Sequence, residues 1–222
     1  INVTDFLLAD QHGIADSIAR ARQGSFSVDA SRSAVYMPRT KSFPRNTEFE
    51  AILTLKSNDP GQYVRDVSAQ GKVISLRQHI SFVKLPEPGY KIRSYHVNSG
   101  YFSDGYVDYA APIEADMTKR YITRHRLEKK NPGAAMSEAV EPIIYYLDPG
   151  VPEPIRGALI EGASWWNQAF EAAGYKNAFQ VKILPDGADP MDVRYNIINW
   201  VHRKTRGWSY GCGLPIPGRV KS

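Results

Sequence analysis

A single cysteine, Cys212, is all the thiol chemistry in this 222-residue chain. An internal disulfide is impossible, and so is a Cys-x-x-Cys zinc or redox pair. One cysteine does not fix the redox compartment, since many envelope proteins also do without disulfides. Long hydrophobic runs are missing as well. No stretch of about 18 apolar residues occurs, so no membrane-spanning helix is expected. No charged and then apolar leader opens the chain. A signal peptide is expected to be absent or already removed, and a start at Ile1 straight into INVTDFLL points to a processed or excised piece. The five histidines, His12, His79, His96, His125 and His202, are too far apart for any two to share a helix turn. No His-Glu-x-x-His pair, glycine-rich phosphate loop, Gly-x-Ser-x-Gly elbow, zinc knuckle or RNA-binding signature is present. Neither sign of charge dominates strongly. Lys and Arg number 28 against 23 Asp and Glu, for a net charge of +5 and a pI near 9.2. Much of the excess lies in TKRYITRHRLEKK, Thr118 to Lys130, which reads as a solvated strand face rather than a nucleic-acid patch.

What is present is the composition of a globular protein, 42% apolar and 23% charged, long enough for one or two domains with real cores. The grammar is of the α+β class and divides into two expected domains. Residues 1–138 read as a β-rich N-terminal domain. In TEFEAILTL, Phe49, Ala51, Leu53 and Leu55 alternate with Glu48, Glu50 and Thr54, which predicts a strand with one wet face. KVISLRQHISFVKLP alternates Ile74, Leu76, Ile80 and Phe82, with Gln78 as the one polar interruption, and YKIRSYHV is its expected partner. GYFSDGYVDYA predicts a shaped loop or bulged strand, and RYITRHRLEKK another strand.

Residues 139–222 read differently. VEPIIYYL is a short apolar strand and DPGVPEP a turn whose prolines open a helix. Ile155, Leu159, Gly162, Ala163, Trp166, Ala169, Phe170 and Ala173 fall in an arc of about 120°, the width of one buried helix face, with Trp165 on its flank. Gly162 within that arc is expected to let a strand approach closely. Gly174 is the expected C-cap. FQVKIL and VRYNIINWV follow as strands. Strand, helix, strand implies a right-handed crossover onto a parallel sheet. VRYNIINWV, apolar on both faces, is expected to be central or near-central. One helix does not cover both faces of such a sheet, so this unit reads as incomplete.

Candidate chemistry is sparse. His202 ends the last strand before RKTRGWSYG, and with Trp208 and Tyr210 it forms a candidate substrate-cleft rim. Cys212 lacks the surroundings of a catalytic nucleophile. Asp186, Asp189 and Asp192 are spaced like a cation loop, but Pro190 and the missing distal Glu break that pattern, which leaves a solvated turn. No catalytic or metal residue is assigned to this chain.

The runs KRYITRHRLEKKNP, SEAVEPIIYYLDPGVPEPIRGALIEGASWWNQAFEAAGYKNAF and DPMDVRYNIINWVHRKTRGWSYG together resemble a family of bacterial zinc-dependent metallopeptidases, metzincin-like enzymes with a β-rich N-terminal domain of uncharacterised role. The resemblance spans about Phe43 to Gly211 and is strongest from Arg120 to Tyr210. It implies that residues 139–222 open a metzincin-like catalytic domain. An edge strand that binds substrate would follow, and then a helix bearing His-Glu-x-x-His-x-x-Gly-x-x-His, whose histidines hold zinc and whose glutamate activates a zinc-bound water. It also implies zinc for the full-length protein and none for this chain, a peptide or protein substrate, and a secreted or periplasmic location. The family pattern is not followed after Gly211. The expected function is therefore the N-terminal portion of a zinc peptidase, inactive as it stands. The rival reading is a non-catalytic protein- or peptide-binding module of the bacterial envelope, and a basic nucleic-acid module ranks last. Self-association through the uncovered seam from Val193 to Ser222 is also expected.

Overall fold

The computed structural model describes residues 2–85, 89, 91–202 and 209–211. Helix accounts for 20% of the chain and strand for 29%, an α+β architecture. The chain divides into two compact units: residues 1–84 with 191–193, and residues 85–190 with 194–222.

The first unit begins with two short helices, α1 (Thr4–Leu7) and α2 (Ile14–Arg20). Gly13, at φ +62°, turns the chain into α2, and the Asp10 carboxylate accepts from the amides of Ile14 and Ala15, each at 2.8 Å. These bonds satisfy two donors that a helix start leaves free. Three two-residue strands follow, β1 (Ser27–Val28), β2 (Ala34–Val35) and β3 (Lys41–Ser42), and then the long β4 (Asn46–Lys56). A helix, α3 (Gln62–Val67), leads to the equally long β5 (Val73–Val83). β4 is the axis of an antiparallel sheet. β5 pairs with it along its whole length, from Asn46↔Val83 to Lys56↔Val73, and β1, β2 and β3 share its other edge. The period-2 pattern sends Ala51, Leu53 and Leu55 to one face, where they form a core with Phe26 and Val64 under Leu8, Ile14, Ala15 and Ile18 of the helical segment.

The structure alters two expectations here. The partner of β5 is β4, and the described residues of YKIRSYHV contribute the isolated bridge Ser94↔Tyr121. The face of β4 expected to be wet is covered, with Glu48 and Glu50 only 2% and 4% exposed. Gln78 also finds its reason. Its side-chain amide donates to Leu7 O (3.1 Å) and Ala9 O (3.0 Å), and its side-chain oxygen accepts from the Gln11 amide (3.0 Å). The single polar residue on the apolar face of β5 thus bonds the turn after α1 to the sheet, with its own side chain buried and its hydrogen-bonding groups matched by main-chain partners.

In the second unit, β6 (Ser103–Val107) and β7 (Thr118–Ile122) form an antiparallel hairpin. Gly105 is required there, because a Cβ would stand 2.5 Å from Lys119 O. β8 (Ser137–Glu138) later pairs in parallel with β10 (Tyr175–Lys176). Between them lie β9 (Ile143–Leu147) and two helices, α4 (Ile155–Ser164) and α5 (Trp166–Ala172). β11 (Phe179–Ile183) and β12 (Asn196–Ile198) complete a three-stranded parallel sheet in the order β11-β9-β12. The crossover from β9 through the helices to its parallel neighbour β11 is the arrangement that the residue pattern predicts.

Its details differ. The helix is interrupted at Trp165, and its half-buried residues are Arg156, Leu159, Ile160, Ala163, Ser164, Asn167 and Phe170. Phe170 stacks on Phe179 with ring centroids 5.7 Å apart, and Asn167 Oδ1 accepts from the Phe179 amide. Trp165 and Trp166 are 64% and 63% exposed, so the expected burial of Trp166 is corrected. Gly162, Ala163, Ala169 and Ala173 carry too little side chain to fix the angle of an apolar arc, and one large residue can shift its apparent centre. A Cβ at Gly162 would meet nothing within 4 Å, so no strand approaches there. β12 is three residues long and lies at an edge, while β9 is the central strand, with Ile143 and Leu147 buried.

Candidate functional site

Two places gather polar side chains with chemical potential. One is the carboxyl end of the parallel sheet. The Asp148 amide, just past β9, donates to Ile198 O at 3.0 Å, and the Asp148 carboxylate accepts from the amides of Gly150 (2.8 Å) and Trp200 (3.3 Å). This carboxylate ties the exits of β9 and β12 together. The Trp200 indole N–H donates to His202 Nε2 at 3.0 Å with the rings edge to face. An Nε2 that accepts places the ring proton on Nδ1. His202 is exposed and stands beyond the carboxyl end of β12, the end at which open parallel α/β sheets take ligands. Tyr210 is exposed as well, whereas Trp208 and Cys212 lie outside the described residues. The path joining His202 to Tyr210 runs through residues outside that set. Of the three aspartates, Asp186 is exposed, Asp189 half-buried and Asp192 buried, so the expected solvated turn holds only for its first member.

The other place is the covered polar face of β4 and β5, which the residue pattern alone did not single out. Pairing sets Glu48 opposite Ser81 and Glu50 opposite His79. Glu48 accepts from Asn46 Nδ2 and Ser81 Oγ and is bonded to His79 Nε2 at 2.6 Å. His79 Nδ1 stands 3.5 Å from Glu50 Oε2. Arg39 Nε meets Glu50 Oε2 at 2.8 Å, and Arg77 Nη1 lies 3.3 Å from Glu50 Oε1 with its guanidinium 4.0 Å above the Tyr36 ring. Asn46 also donates to Met191 O and accepts from the Val193 amide, which explains why residues 191–193 belong to this unit. Two carboxylates out of water are tolerated because two guanidinium groups, an imidazole, an amide and a hydroxyl surround them. Further along the same face, Asp29 is held at a pKa of about 2 by hydrogen bonds from Ser31 and then Arg32.

A hollow elsewhere, lined by Glu128, Lys129, Pro132 and Tyr175, offers less. Its ammonium is already engaged by Ala134 O and Ala135 O. Among the described residues no three His, Cys, Asp or Glu side chains are placed to hold a metal ion.

The architecture is that of an α+β protein with an antiparallel sheet in one unit and a parallel crossover in the other. Residues 1–130 match the family described as Domain of unknown function (DUF5117), more than half of the chain, and the chain belongs to that family. No curated protein and no solved structure matches the chain.

Proposed function

We propose that this chain is the N-terminal portion of a zinc-dependent metallopeptidase, a β-rich domain followed by the opening of a metzincin-like catalytic sheet, inactive as this piece. The observation that supports the reading is the parallel unit β9–α4–α5–β11 with β12 on the other side of β9. It is built by residues within Arg120–Tyr210, where the resemblance to those peptidases is strongest. In this reading the carboxyl ends of β9 and β12, with Asp148, Trp200 and His202, are the rim against which an extended peptide substrate would lie, and Tyr210 is proposed as a further contact for it. A secreted or periplasmic setting is part of the proposal.

Among the described residues no three His, Cys, Asp or Glu side chains are grouped to hold a metal ion, and the proposal assigns none of them to zinc. The test uses the complete coding sequence. The full-length protein is expected to hold one zinc in a His-Glu-x-x-His segment and to cleave peptides, with both activity and metal lost to chelators. The 222-residue chain alone is expected to retain no stoichiometric zinc. A full-length protein with neither that motif nor metal-dependent cleavage would overturn the reading. Stoichiometric zinc in the chelator-washed fragment would overturn the assignment of its residues.

A further inference from the structure

The covered polar face of the first unit has an asymmetry. Its acids, Glu48 and Glu50, lie beneath the surface, while the cations that answer them, Arg39 and Arg77, are 51% and 53% exposed. Both guanidinium groups meet the same carboxylate, one at each oxygen, so they are held close together. Neither is used up by that contact. Arg39 donates through Nε to Glu50, and among the described residues its terminal nitrogens reach only the thioether of Met191, a weak acceptor, at 3.4 Å. Arg77 makes no side-chain hydrogen bond among the described residues. It lies 3.3 Å from Glu50 Oε1, and that buried oxygen in turn has no hydrogen-bond partner there. The Tyr36 ring fixes the plane of the Arg77 guanidinium from one side.

The geometry points to an oxyanion-binding site on this face, in which Arg39 and Arg77 present their unused N–H groups to a single carboxylate or phosphate group, with the Tyr36 ring as one wall and His79 at the rim. The buried Glu50 is a positioning residue. It fixes two flexible cations before any ligand arrives and so removes much of the ordering cost of binding. Guanidinium forks suit the planar carboxylate and the tetrahedral phosphate better than a lysine would, because two parallel N–H donors match two oxygens. The ligand is therefore a small anion, or the acidic group of a larger partner. The site is independent of the peptidase reading, and its failure would leave the zinc test untouched.

The experiment follows the Nε–Hε resonances of Arg39 and Arg77 in the full chain by NMR. Inorganic phosphate is titrated in one arm and the blocked peptide acetyl-Ala-Glu-Ala-amide in the other. Sodium chloride at matched ionic strength is the control, with Arg65, whose guanidinium bonds Pro60 O, as the reference resonance. Both target resonances are expected to shift saturably while Arg65 does not. Tighter binding of phosphate would mark a free or esterified phosphate as the natural ligand class, and tighter binding of the peptide a carboxylate side chain. Arg77→Gln is expected to weaken binding by about tenfold, and Arg77→Lys by an intermediate factor, because charge survives and the fork does not. Should Arg77→Gln lose amide protection in β4 and β5, Tyr36→Leu, which removes the wall and keeps both cations, is the second variant and is expected to weaken binding by ~3-fold. Shifts reproduced by chloride, or unchanged in Arg77→Gln or Tyr36→Leu, would overturn the site, as would the absence of any saturable shift.

Discussion

At the scale of single residues, exposure and hydrogen bonding decide which substitutions matter. Trp166 is large and lies in an apolar pattern, yet it stands mostly in solvent. Trp166→Ala is expected to cost less than about 1 kcal/mol in chemical denaturation, where a buried tryptophan would cost about 3–5 kcal/mol. Gln78 is the reverse case, a polar residue only 1% exposed. Gln78→Ala removes the side-chain partner of Leu7 O, Ala9 O and the Gln11 amide, the last two keeping only their bond to each other. A loss of about 1–3 kcal/mol is expected, with faster amide exchange concentrated in residues 4–15. Asp29 adds a dependence on pH. Its pKa falls from an ordinary 3.8 to about 2 because Ser31 and Arg32 bond the charged form. A carboxylate more acidic in the folded state stabilises the fold above pH 3.8, and that contribution is lost as pH falls from there through about 2. Asp29→Asn is expected to flatten the stability curve in that window and to leave its shape near neutrality unchanged, as read from denaturant midpoints across pH.

At the scale of elements, the crossover rests on one aromatic stack and one side-chain bond between α5 and β11. Phe170 and Asn167 make those contacts, so Phe170→Ala is expected to destabilise the second unit more than Trp165→Ala and Trp166→Ala combined. Thermal unfolding of the three proteins, monitored by near-ultraviolet circular dichroism, ranks them. The strand pattern was readable here because β9 is a continuous short apolar run of the kind that parallel sheets bury, and β11 alternates Phe179, Val181 and Ile183 with Gln180 and Lys182. The helix angle was not, because half of its eight-residue stripe is alanine and glycine. On β4, alternation correctly separated two faces. Which face is wet was settled by what packs over it, and the arginines that cover Glu50 come from position 39 at the end of a short 3-10 helix and position 77 on another strand.

At the scale of the whole chain, residues 191–193 answer to the first unit although their sequence neighbours belong to the second. The Val193 amide donates to Asn46 Oδ1, and Asn46 is buried. Its exchange protection is therefore expected to follow β4 rather than β12 through a denaturant series. Protection of Val193 that instead tracks Ile197 and Ile198 would contradict the division. Exposed Trp165, Trp166 and Val201 leave apolar surface on the second unit. Concentration-dependent association in sedimentation is expected from the isolated chain, and a clean monomer with strong protection across Ile197 and Ile198 would count against it.

What local sequence determined is the set of elements with strong periodicity: β4, β5, β9, β11, the helical crossover and the α+β class. These follow from nearest-neighbour geometry, period 2 or period 3.6, which the chain carries at every residue. What only the tertiary structure decided is the partnership of distant residues. Glu50 meets Arg39, Arg77 and His79, Gln78 meets the turn after α1, and Asn46 meets Val193. No local rule brings residues 46 and 193 together. Burial does so, because a polar group taken out of water needs a partner wherever along the chain that partner lies.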